Sequence, residues 1–92
     1  MRKMTIEDFQ NLSHGDAVTK IAYGKAQSFR YVGRMPSSDQ YFIFSCGEDL
    51  CKFHTNENPN MWHIGTYDSK YVGEQLIAYH ENQIKIIKEI YI

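Results

Sequence analysis

Four short runs rich in Val, Ile, Phe and Tyr follow one another between Ala17 and His54, with turn residues between them. Gly24-Lys25 separates the first pair, Pro36-Ser37-Ser38-Asp39 the second and Gly47-Glu48-Asp49 the third. This spacing predicts consecutive antiparallel strands joined by tight turns. The first strand is expected over Ala17–Tyr23, with Ala17, Thr19, Ile21 and Tyr23 as its core face. The second runs over Ala26–Met35, where Phe29 and Tyr31 alternate with Arg30, Val32 and Arg34, and Gly33 marks a bulge or sharp bend. The third, Gln40–Cys46, is apolar on both faces, as a strand covered on both sides reads. The fourth is Leu50–His54.

Helical spacing precedes these strands. Ile6, Phe9 and Leu12 form one apolar stripe, Thr5 and Asp8 form a loose capping box, and Ser13-His14-Gly15 stops the turn, so a short helix is expected over residues 5–12. After the strands, Thr55–Asn60 is the most polar segment and reads as a mobile surface loop. Met61–Tyr67 resumes an extended pattern, and Asp68-Ser69-Lys70 turns the chain again.

The last eighteen residues, 75–92, fit two periods. Ile77, Ile84 and Tyr91 lie seven apart, as do Leu76, Gln83 and Ile90, which suits a helix. Ile84, Ile86, Ile90 and Ile92 also share a face if the segment is a hairpin turning at Glu81-Asn82-Gln83. The density of Ile favours the hairpin.

One mainly β (α+β) domain over residues 1–92 follows: a small, strongly bent antiparallel sheet or SH3-like barrel with one short N-terminal helix. The residues Leu12-x-x-Gly15-Asp16-x-Val18, leading into the first strand, resemble the start of SH3-like barrels. That resemblance implies a fold and no activity.

Composition narrows the function classes. The chain of 92 residues is 42% hydrophobic, 23% charged and 14% aromatic, with a net charge of −1, so the general argument for a nucleic-acid binder, a basic excess, is missing. The start Met-Arg-Lys-Met-Thr-Ile-Glu-Asp has no apolar segment of the secretory kind, and no run is long enough to cross a bilayer. A cytoplasmic protein is expected, with Cys46 and Cys51 as free thiols.

Four candidate constellations stand out. Cys46, Cys51, His54 and His63 carry zinc-ligand chemistry, but the C-x4-C-x2-H-x8-H spacing is unlike that of common zinc sites, and no cofactor is expected. Arg30 and Arg34 with Tyr31 and Tyr41 combine cations and stacking rings, the residue types of a single-strand nucleic-acid surface, although alternation points the rings away from the arginines. Ser13, His14 and Asp16 are triad residue types crowded in sequence, which reads as a turn, and an enzyme is not expected. Trp62, with Met61 and Tyr67 beside the Asn-rich loop, belongs to residue types enriched at protein interfaces, although a lone Trp more often fills the core as its largest residue. The expectation is a non-enzymatic protein-interaction or regulatory module that binds another protein or itself, as a homodimer. A nucleic-acid-binding barrel and a zinc-stabilised domain are the alternatives, and no membrane role is expected. The apolar Ile90-Tyr91-Ile92 ending points the same way, to a strand paired within the sheet or with a second subunit.

Overall fold

A computed structural model describes residues 1–92. Six strands form one antiparallel sheet: β1 (Arg2–Lys3), β2 (Ala17–Ala22), β3 (Lys25–Arg34), β4 (Tyr41–Cys46), β5 (Asp49–His54) and β6 (Trp62–Ile64). Their spatial order is β1-β6-β2-β3-β4-β5. β1 and β5 are the edges, so the sheet is bent but not closed into a barrel. Two helices complete the fold, α1 (Ile6–Gln10) and α2 (Ser69–Tyr91), together with a 3-10 turn at Pro59–Met61.

The central meander follows from its turns. Ala22 pairs with Lys25 around a two-residue connection, Tyr23-Gly24. Both residues have positive φ, 54° and 76°, as the hairpin turn that matches strand twist demands, and Gly adopts that conformation without steric cost. Gly33 marks a real irregularity: the β3–β4 register shifts between Tyr31 and Gly33, so Tyr31 faces Phe44 while Arg34 faces Phe42. The extra residue moves everything beyond it to the other face of the strand.

Inside the bend lies an aromatic core. Met4, Phe9, Val18, Phe29, Tyr31, Phe42, Phe44 and Trp62 are all buried together. Trp62 stacks on Phe44 at a centroid distance of 5.0 Å and meets Phe53 edge-on at 5.1 Å. Such offset and edge contacts add to the burial that drives folding. The inner face of β2 is therefore the Val18 set, not the expected Ala17, Thr19, Ile21 and Tyr23. Register explains the correction: Val18 lies between Phe29 and Ile64, which both point inward. Thr19 is equally buried, but on the outer face, where it shares a hydrogen bond of 3.3 Å with Ser28.

α1 is shorter than the expected 5–12. Thr5 caps it, accepting from the Asp8 amide at 3.2 Å while Asp8 accepts from the Thr5 amide at 2.7 Å. Asp8 also takes two bonds of 2.7 Å from Arg2, pinning β1 to the start of α1. The Arg2 guanidinium and the Thr5 amide hold the Asp8 carboxyl well below the usual carboxylate range. β1 itself is too short to carry a periodic signal, and tertiary pairing with β6 alone defines it.

The largest departure is at the C-terminal end. Residues 69–91 form one continuous helix, not a hairpin. Asp68, expected in a turn, is its N-cap, accepting from the amides of Lys70 and Tyr71 at 3.0 and 3.3 Å. Two reasons favour the helix. Glu81-Asn82-Gln83 lacks the Gly that tight hairpin loops favour for its positive φ. Glu, Gln, Leu, Ala and Lys between the isoleucines are good helix formers, and the helix penalty of each Ile is only a few tenths of a kcal/mol, roughly. No helix in the molecule is long and apolar enough to cross a membrane.

Candidate functional site

The residues singled out from the sequence are distributed by the sheet, which separates the candidate sets. Cys46 and Cys51 are unpaired thiols that pack against the aromatic core on the inner face. His54 lies on the outer face opposite Tyr41, where its Nδ1 accepts from the Asn56 amide at 3.1 Å. His63 is also on the outer face, beside Thr19. The thiols and imidazoles are thus on opposite sides of the sheet, and nowhere do three or more His, Cys, Asp or Glu come together. Cys51 and His54 are three residues apart in a strand, and alternation alone directs them to opposite faces.

The cation–aromatic set is divided too. Tyr31 is a core residue, 6% exposed. The bulge brings Arg34 to the inner side, where its guanidinium lies 4.7 Å from the Phe42 ring. Arg30 stays on the outer face opposite Ser45 and donates to the Gly15 carbonyl at 3.0 Å. Tyr41, at another corner of that face, lies under the Lys52 ammonium at 4.8 Å. The four residues form no common surface.

Trp62, expected beside a mobile loop, is completely buried and presents nothing to a partner. Its loop is tied down: Lys20 reaches Glu57 at 2.8 Å, and the Lys20 ammonium sits 5.0 Å from the Phe53 ring and 5.5 Å from that of Trp62. Met61 packs against the core and Tyr67 is exposed. Beside Tyr67 a shallow cleft of about 470 Å³ runs over Thr19, Ser28, Arg30 and Ser45. Its polar groups already serve the fold, Thr19 with Ser28 and Arg30 with Gly15.

The surface with unspent binding capacity is α2. Its first half is anchored on the outer face of the sheet. Val72 is buried, and Tyr71 shares a 2.7 Å hydrogen bond with the His63 Nδ1. Burial, together with the nearby Lys3 charge, lowers the His63 pKa and so disfavours the charged imidazolium. The anchor extends to the β2–β3 turn. A methyl group on Gly24 would meet the side chains of His80 and Tyr79 at 3.1 and 3.2 Å, so the absence of a side chain there lets the turn approach the helix. Beyond that point the helix loses its support. Every residue from Ile84 to Ile92 is exposed, and Ile84, Ile87, Ile90 and Tyr91 are 53%, 51%, 67% and 79% exposed. The molecule measures 51 × 26 × 26 Å, elongated as a projecting 23-residue helix requires.

Sequence reasoning placed the candidate interface at Trp62, Met61 and Tyr67 and reached this one only at its Ile90-Tyr91-Ile92 end, read there as a strand. The signal was present in the seven-residue spacing of Ile77, Ile84 and Tyr91, which β propensity outweighed. No protein family, curated protein or solved structure matches the chain.

Proposed function

We propose that this protein is a non-enzymatic interaction module that binds another protein or itself through the projecting half of α2. The observation that carries this reading is the row of exposed isoleucines on an ordered helix, projecting clear of the sheet. Contiguous exposed apolar side chains of this kind are characteristic of interaction sites. A membrane surface is the weaker match: Lys85 and Lys88 are balanced by Glu81 and Glu89, whereas helices that lie in membrane interfaces are rich in cations. In this reading the bent sheet, of SH3-like kind, is the scaffold, and its outer face sets the direction of the helix. A cytoplasmic setting belongs to the same proposal and is supported by the two unpaired thiols.

The test compares the wild-type chain with an Ile84→Lys/Ile87→Lys variant by gel filtration of the source extract at native ionic strength. The wild type is expected in a complex larger than the 10.8 kDa chain, and the variant at the size of the chain alone. Elution of both at the size of the free chain overturns the reading.

A further inference from the structure

We infer that the occupant of this helix face is a second copy of the chain, paired antiparallel over residues 80–91. The inference rests on the reading of α2 as a docking element and adds the partner and its orientation.

The helix carries two distinct apolar stripes. Val72, Leu76 and Tyr79 lie along the side held by the sheet. Ile77, His80, Ile84, Ile87 and Tyr91 recur at three- and four-residue steps, the repeat of a coiled-coil seam. At roughly 100° of rotation per residue, the second stripe lies about a quarter turn from the first. A partner helix on it therefore runs clear of the sheet. His80, at the base of the stripe, lies against Gly24 and marks where the sheet ends.

Charge decides the orientation. With Ile84 of one copy against Ile87 of the other, and His80 against Tyr91, the seam is symmetric about a two-fold axis, as an isologous dimer requires. In that antiparallel register Glu81 flanks the same side of the seam as Lys88 of the second copy, about 3 Å apart along the axis, and the two-fold repeats the pair. A parallel pairing of the same stripe sets Leu76 against Glu81 and Gln83 against Lys88, with no complementary charges. The antiparallel arrangement also keeps the two sheets at opposite ends, with about 16 Å of paired helix between them. Ile90 then falls beside Gln83 of the second copy, extending the contact past the seam.

Sedimentation over about two decades of concentration around the micromolar range tests this on the full chain. The wild type is expected to show a concentration-dependent monomer–dimer equilibrium. Glu81→Lys and Lys88→Glu are each expected to weaken it about tenfold, because each turns two attractions into two repulsions. The double variant Glu81→Lys/Lys88→Glu is expected to return to within about twofold of the wild type, since the pair is rebuilt with its signs exchanged. All these positions are exposed, and far-ultraviolet circular dichroism checks that the helix persists. As a second readout, carbodiimide treatment of a mixture of light and isotope-labelled chains should join Glu81 of one copy to Lys88 of the other. Equal weakening in the single and double variants overturns the register. A wild type that stays monomeric throughout overturns self-pairing. In that case, retention of a larger complex in the source extract leaves the docking role of α2 standing with a different partner.

Discussion

Lys20 occupies an inward-facing position of β2, and an ammonium there is tolerable only because its stem lies along apolar rings while its head reaches Glu57 at the rim. Phe44 is the opposite case, fully enclosed by five aromatic neighbours, with Trp62 stacked on it. Phe44→Ala is expected to cost about 3–5 kcal/mol, a large share of the stability of a domain this size, and the measurement is a urea unfolding midpoint with unchanged slope. His63 makes a pH prediction. Its pKa is lowered in the folded protein, so the unfolded chain binds the proton more readily. The stability it contributes is complete above the ordinary imidazole value of about 6.5 and is lost as pH falls toward the folded value. Thermal unfolding between pH 7.5 and pH 5, approximately the span over which an imidazole titrates, should show a falling midpoint, and His63→Gln should flatten that part of the curve.

The β2–β3 hairpin and α2 are coupled through one missing side chain. Gly24→Ala introduces a strained positive φ and a methyl group pressing on His80 and Tyr79. A cost of about 1–2 kcal/mol is expected from the strained turn, and the accompanying helix displacement should appear as faster amide exchange in residues 76–83. The elements of the meander were legible because their turns are local: Gly24 and the bulge at Gly33 each act through the conformation of a residue or two, although the first turn is Tyr23-Gly24, one residue earlier than the expected Gly24-Lys25. The inner face of β2 was not legible, because Ala17–Ala22 has buried residues on both sides and periodicity cannot choose between them. α2 was misread for a related reason. Its isoleucines satisfy a period of two and a period of seven together, and the choice depends on whether a helix finds an anchor, which β6, the β2–β3 turn and the His63–Tyr71 bond supply. The candidate site moved with it, from Trp62 to Ile84 and Ile87.

At the scale of the whole molecule, an open sheet with an aromatic core carries a helix whose outer half makes no intramolecular contribution. The Ile84→Lys/Ile87→Lys variant should therefore keep the wild-type unfolding midpoint at low concentration, within about 0.5 kcal/mol, while losing any concentration dependence of that midpoint, which mass action gives to an associating wild type. Local signals in the sequence by themselves determined the antiparallel meander, its hairpin turns to within a residue, the bulge and the separation of Cys51 from His54, because each depends on alternation or on the conformational freedom of a residue or two. Tertiary structure alone decided that β1 and β6 pair and that residues 69–91 are helical. Each of those outcomes depends on which distant surface a side chain meets, and burial against that surface outweighs the local preference of the residue.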